Sequence, residues 1–416
     1  MAHTHTLLTP TVIAKEALMQ LENNMVMGNL VHRGYVTEFA KEGAKIGTSV
    51  TIRKPNKFKV TKSRVRVTHM LTEQSITLTV ATQAHVSWVF TTAQLTMTID
   101  EYSKRYIQPA CAALANQVDL DLCSLYDDVW NQVHESTGFV TPESFIVLGK
   151  AAQLMDEEAV PAEERCVVLN PAANWSLANA MKSLYVTDVS KPALKKGFLA
   201  RIANFEIYMD QNIRAHTTGQ YHDTGSDPGI QHQTAAGTAN ATAIIACNFK
   251  WTGSADLLKT GDVFTISGVY AVNPISGEST GQLRKFVVTA NVTSMETVST
   301  AGTVAVHIDP PLIHTGPYKT IDTVPASQAT INVIGNECEP YPQNLAFHKN
   351  AFALVTVPLE MPDGAWGARE SHNGLNIRVV KDYDIDADYE VCRLDILYGV
   401  KTLYPELACR IYGAEG

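Results

Sequence analysis

The chain has 416 residues, of which 45% are apolar, and a formal net charge of −9 at pH 7. That length allows roughly two or three units with their own cores, and the apolar fraction excludes a wholly disordered chain. No run approaches the ~18 apolar residues of a spanning helix, and the net acidity argues against bulk adhesion to nucleic acid.

The opening MAHTHTLLTP lacks the basic start and apolar run of a signal peptide, so cytoplasmic synthesis is expected. Thr9-Pro10 is an N-cap followed by proline at the first helical position. Ile13, Ala17, Leu21 and Met25 then recur every four residues, which predicts an amphipathic helix ending near Gly28. With little chain around it, its apolar stripe is expected to pack on a neighbour.

Residues 41–66 hold nine basic side chains (Lys41, Lys45, Arg53, Lys54, Lys57, Lys59, Lys62, Arg64, Arg66) against Glu42, so this segment is +8 and the remainder carries −17. From Thr48 to Phe90 the period is two: Ile76, Leu78 and Val80 alternate with threonines, Arg64 and Arg66 with Val65 and Val67, and Val86, Trp88 and Phe90 continue it. The reading is a long, basic, two-stranded ribbon, marginal alone and needing a surface to lie on. Two surfaces suit it: the acidic face of a neighbouring subunit, or phosphates. Only Phe58 interleaves the basic positions, which disfavours a stacking platform for single strands. The subunit bridge is the favoured reading.

Thr98-Ile99-Asp100-Glu101 reads as a capping box. Tyr102, Tyr106, Ala110, Leu114, Val118, Leu122, Leu125 and Val129 then hold one helical face, with Pro109 expected to kink the helix without ending it. Such a helix would span about 45 Å, a spine longer than a compact domain needs. A further helix is expected from Thr141-Pro142 to about Glu158, a buried strand at Cys166–Leu169, a helix from Asn170-Pro171 through Met181, and a strand at Phe205–Met209. Between about 222 and 340 Thr, Gly, Ser and Ala dominate and short β patterns appear at Asp262–Ser267, Lys285–Thr289 and Val304–Ile308, with turns at Gly261-Asp262 and Gly281-Gln282. This reads as a small β-barrel inserted into a host domain. Residues 376–410 alternate like paired strands.

Four stretches, in order, resemble the major capsid proteins of tailed bacteriophages, which adopt the Hong Kong ninety-seven fold. They are PAEERCVVLNP at Pro161–Pro171, GFLARIANFEIY at Gly197–Tyr208, NLAFHKNAF at Asn344–Phe352, and LYGVKTLYPE at Leu397–Glu406. Tyr404 stands where the family usually has arginine, which leaves one family ion pair open. The inserted segment, with Leu258–Ile266, is similar to the branch typified by the coat protein of Salmonella phage P-twenty-two. The resemblance implies an α+β capsid fold with an N-terminal arm (1–44), extended loop (45–97), peripheral domain with spine helix (98–164) and axial domain (165–221 and 341–371). It adds an inserted β-rich domain (222–340) and closing peripheral strands (372–416). It further implies a non-enzymatic subunit that self-assembles into hexamers and pentamers of an icosahedral head around double-stranded DNA. Implied partners are scaffolding protein, portal protein, a decoration protein, and DNA through non-specific contact, with no membrane and no cofactor. The protein would be assembled in the host bacterial cytoplasm and reside in the virion.

The acidic run Asp382, Asp384, Asp386, Asp388 and Glu390 would share one face of a strand. Calcium is the sharper reading, but EF-hand spacing and its glycine are missing, so a solvated or interface face is favoured, one that could receive a basic ribbon. The expected inter-subunit contact residues are therefore Arg53, Lys54, Lys57, Lys59, Lys62, Arg64 and Arg66 on one side and Asp382, Asp384, Asp386 and Asp388 on the other. Seven cysteines at 111, 123, 166, 247, 338, 392 and 409 are odd in number and widely spaced, which points to buried free thiols rather than disulfides or zinc. The histidines form no HExxH arrangement, and no GxSxG, Walker A or GxGxxG motif stands in its required context. A tail or decoration component is the alternative suggested by the Thr-rich β content, though it leaves the spine and ribbon unexplained. A hydrolase would need a site that the sequence does not display.

Overall fold

The computed structural model describes residues 10–35, 49–58, 60–66, 73–91, 103–134, 142, 144–181, 201–221, 231–232, 241–249, 256–293, 302–362, 364, 366–384 and 389–412. Two compact units are each built from three stretches of chain: residues 1–54, 75–123 and 352–403 in the first, and 55–74, 124–351 and 404–416 in the second.

The helices are α1 (Pro10–Asn24), α2 (Met27–Leu30), α3 (Gln108–Cys123), α4 (Phe145–Glu157) and α5 (Pro171–Met181). The first strands are β1 (Ser49–Arg53), β2 (Ser75–Thr79), β3 (Thr82–Thr91), β4 (Gln132–Val133), β5 (Arg165–Leu169), β6 (Arg201–Ile202), β7 (Phe205–Met209) and β8 (Ala215–Thr217). There follow β9 (Gln231–His232), β10 (Ala241–Phe249), β11 (Asp256–Leu258), β12 (Val263–Val272), β13 (Ser279–Val288), β14 (Val292–Thr293), β15 (Gly302–Leu312) and β16 (Ile331–Val333). The last are β17 (Pro340–His348), β18 (Phe352–Val357), β19 (Trp366–His372), β20 (Leu375–Asp384), β21 (Tyr389–Thr402) and β22 (Ala408–Tyr412).

In the first unit β18, β21, β20 and β19 run in that order, with β3 also paired to β21. Helices α1 and α3 cover one face of this sheet. Ile13, Ala14, Ala17, Leu18 and Leu21 of α1 are buried there, each large side chain contributing about 1.5–3 kcal/mol. The arm helix therefore packs on its own chain, against α3 and the β19–β20 hairpin, and not on a neighbour as its isolated stripe suggested. Its end is tied to the spine: the carboxylate of Asp119, buried within α3, accepts N–H bonds from Val26 (2.7 Å) and Gly28 (2.8 Å) at the start of α2.

The expected spine is present with changes of winding. A π-helical turn at Ser103–Ile107 precedes α3, with Pro109 just inside it, and a 3-10 turn at Ser124–Asp128 follows. The π turn beside Pro109 accommodates its missing N–H donor. The 3-10 turn also alters which side chains are buried. Cys123, Tyr126 and Val129 recur every three residues, and Leu125 is only half-buried, because a 3-10 helix eclipses i and i+3. The predicted capping box lies outside the described residues.

The ribbon is shorter than its alternation implied. β1 and β2 pair antiparallel from Ser49↔Thr79 to Arg53↔Ser75. β3 leaves the ribbon and pairs with β21 from Thr91↔Tyr389 to Thr82↔Tyr398. Residues 64 and 65 form a bend, and Val60 and Val65 are 86% and 74% exposed, so no half-buried strand forms through them.

In the second unit one sheet runs β4-β22-β17-β5-β7-β6, with β8 also on β17. Helices α4 and α5 share its core with Val167, Leu169, Phe205, Ala346 and Ile411. Asn170 opens α5, its Oδ1 accepting the Ala173 N–H at 2.9 Å. The β-rich segment forms a second ladder, β16-β12-β13-β15-β10-β9, with a small β11-β14 pair, around Phe264, Ile266, Phe286, Val288 and Val306. It is inserted in a literal sense: β8 pairs with the start of β17 through Thr217↔Pro340, His216↔Tyr341 and Ala215↔Pro342, so entry and exit lie side by side. The NLAFHKNAF stretch is not one strand. It ends β17 at His348, turns through the 3-10 residues Lys349–Ala351 and begins β18.

Candidate assembly surfaces

The basic excursion springs from the β1–β2 ladder. Arg53 is exposed and Lys54 half-buried, both in the first unit, whereas Lys57, Lys62, Arg64 and Arg66 are exposed in residues grouped with the second. Lys59 lies outside the described residues. Phe58 is 74% exposed beside these cations. The Tyr318 hydroxyl donates to Asn56 Oδ1 at 3.4 Å, a weak tie to the β-rich segment. A cationic, partly apolar stretch left this open has the composition of a contact surface.

The base of the excursion is held by a glycine. A Cβ on Gly399 of β21 would stand 2.3 Å from the Thr79 carbonyl oxygen and 3.0 Å from Val80 Cα, so only glycine lets β2 pass this close. Beside it, the Tyr398 hydroxyl donates to Asp121 Oδ2 at 2.5 Å. In that same LYGVKTLYPE stretch the Tyr404 N–H donates to Ala351 O at 3.1 Å.

The acidic run does not lie along a single strand. Asp382 and Asp384 end β20, while Glu390 stands in β21 against Tyr383, because the two strands form an antiparallel pair. Asp386 and Asp388 lie outside the described residues. Asp382 is exposed. Among the described residues no group of three or more His, Cys, Asp or Glu could hold a metal.

Sequence reasoning missed Asp395. Fully buried at the side chain, it accepts Arg378 Nη2 (2.7 Å) and Nε (3.2 Å) and Arg393 Nε (2.7 Å). Burial pushes this carboxyl up, but the hydrogen bonds and charges of the two arginines outweigh it and hold the group below the ordinary aspartate range. The only sequence signal was Arg393 and Asp395 at alternating positions of β21, with Arg378 set between Ile377 and Val379 in β20.

A second unforeseen cluster sits where the insertion joins its host sheet. The His216 ring lies between Tyr126 Oη at Nδ1 (3.2 Å) and Asp262 Oδ1 at Nε2 (2.7 Å). Asp262 Oδ2 accepts the N–H groups of Lys259 (2.7 Å) and Gly219 (3.1 Å). Gly261, at φ +97°, leaves room for Asp127, whose Oδ1 would be 2.6 Å from a Cβ there. Nearby, Arg284 of β13 pairs with Glu158 at 2.5 Å and lies 5.5 Å from the Trp130 ring. Lys285 donates to the Gln132 carbonyl, and burial lowers its pKa. This ring of charges ties the β-rich segment to α4 and β4 inside one unit. It has the buried form of a structural joint, with both His216 nitrogens occupied.

An exposed basic excursion is rooted in one sheet, and an inserted β-rich segment is jointed to another, an arrangement suited to structural contacts. The chain belongs to the P22 coat protein family (gene protein 5), matching it over residues 1–413. It is a bacteriophage major capsid protein with an α+β fold of the Hong Kong ninety-seven type. No curated protein matches the chain. Among solved structures it is similar to one of Mycobacterium phage Che8, at 13% identity and TM-score 0.49, covering 93% of this chain and 90% of that one. The capsid of Ralstonia phage GP4 follows at 10% identity and TM-score 0.45, covering 89% and 84%. The capsid of Cyanophage P-SCSP1u stands at 11% and 0.44, again covering 89% and 84%.

Proposed function

We propose that this coat protein assembles with copies of itself into hexamers and pentamers of an icosahedral head enclosing double-stranded DNA. Assembly takes place in the host cytoplasm with scaffolding and portal proteins, a decoration protein being a further partner, and the subunit performs no catalysis. On this reading residues 1–44 serve as the arm, 45–97 as the extended loop, 98–164 and 372–416 as the peripheral domain, 165–221 and 341–371 as the axial domain, and 222–340 as the inserted domain. One observation carries the reading: the excursion exposes Lys57, Phe58, Lys62, Arg64 and Arg66 together, a surface that a lone subunit leaves open. With Arg53, Lys54 and Lys59, it bridges to an acidic face of a neighbouring copy, and Asp382, Asp384, Asp386 and Asp388 also serve subunit contacts. Electrostatic matching of this kind sets register and association rate. Neutralising Arg53, Lys54, Lys57 and Lys59 together tests it. Particle yield on sedimentation should fall, and particle yield and melting temperature equal to the unaltered protein would refute the bridge.

A further inference from the structure

Among the described residues, one face of the first unit's sheet is open around Arg369, Asp382 and Val89, and its charges are segregated. Alternate strand residues lie on opposite faces, and cross-strand partners share a face. Arg369, Arg378, Asp395 and His85 therefore stand in one row across β19, β20, β21 and β3. Arg393 lies one step further along the same face, and Asp382, Val391 and Val89 one step beyond that. The opposite face carries Cys392 and Leu394, both fully buried under the unit's own helices. On the open face Arg369 and Asp382 are exposed, and Val89 is 53% exposed.

Within the chain these charges are only partly neutralised. Asp395 draws in both Arg378 and Arg393, at 2.7 Å each. Arg369 and Asp382 make no ion pair among the described residues. Asp382 lies four residues along β20 from Arg378, about 13 Å, too far for contact with Arg369 opposite Arg378. One end of the face is thus basic, with three guanidiniums near one carboxylate, the other end is acidic, with Val391 and Val89 beside Asp382, and half-buried Val380 lies between, opposite Gly367. A surface with its plus and minus ends apart is complementary to itself when a second copy is laid on it in reverse.

We infer that this face is a self-contact. The open sheet faces of two copies meet, Arg369 of one copy against Asp382 of the other, with Val380 and Gly367 at the centre. This deepens the capsid reading by giving Asp382 its partner, and it rests on that reading only for the use of particles as an assay.

Charge exchange tests it. Arg369→Asp and Asp382→Arg each set like charges together and should each lower assembled particles by about tenfold or more. The double variant should recover most of the yield. Melting of the unassembled variants should match the unaltered protein, since both side chains are exposed. Single variants that assemble normally, or a double variant no better than the worse single, overturn the contact. If the unaltered protein forms no particles at all, the capsid reading fails separately. The pairing is then read from the monomer–dimer equilibrium by analytical ultracentrifugation, where the same pattern of loss and rescue is required.

Discussion

Replacing Asp119 with alanine should release the arm from the spine. The carboxylate is 1% exposed and accepts two short bonds, from Val26 N at 2.7 Å and Gly28 N at 2.8 Å. Hydrogen bonds to a charged acceptor are worth about 1.5–3 kcal/mol each, and a buried N–H left without an acceptor keeps its desolvation cost. The two bonds are not independent, since both hold the same short turn, so the combined loss is about 3 kcal/mol. That loss appears locally before it appears globally, because α2 has only four residues. Hydrogen exchange on the unassembled subunit, followed by NMR or mass spectrometry, is the direct assay. The Val26 and Gly28 amides should exchange about 100-fold faster in Asp119→Ala. Asp119→Asn, which keeps one acceptor, should fall between. Unchanged protection at these two amides would refute the argument that Asp119 anchors the arm.

Other consequences follow from the same reasoning. Gly399→Ala places a methyl against the Thr79 carbonyl, so the unassembled subunit should lose about 1–3 kcal/mol in urea titration and particle yield should drop. Asp395 has its folded pKa held below the unfolded value of about 3.9, so its stabilisation is present above that value and is lost as pH falls through the folded pKa. Asp395→Asn should therefore be less stable at neutral pH and show a shallower loss on acidification, measured by thermal melts across pH 2–6; parallel curves would count against it. Glu158→Ala leaves the buried Arg284 without its carboxylate and should cost about 3–5 kcal/mol, seen as earlier unfolding of the β-rich segment.

Much of the local structure was legible because local physics dictates it. The all-buried Arg165–Leu169 strand, the Asn170 cap with proline at the first position of α5, and the Phe205–Met209 strand all depend on neighbours within a few residues. What escaped depends on contacts distant in the chain. Val86 and Trp88 carry the same alternation whether β3 continues the ribbon or pairs with β21 some 300 residues later, so period alone could not separate the two. The stripe on α1 looked orphaned because its cover, β19 and β20, lies at the other end of the chain. The acidic run was read as one strand because its charges alternate without a break from β20 into β21, although the two strands pair antiparallel through Asp384↔Tyr389. For the candidate surfaces, the basic excursion was visible as composition, whereas Asp395 and the His216–Asp262 joint were not. Their partners become neighbours only through sheet register and through the pairing of β8 with β17.

The central claim is that this chain builds a closed shell. Negative-stain electron microscopy of the purified protein, expressed with and without its phage's scaffolding protein, tests it most directly. The account predicts closed shells tens of nanometres across, more uniform when the scaffolding protein is present. Monomers or small rings under both conditions would contradict it and return the tail-component reading to the front.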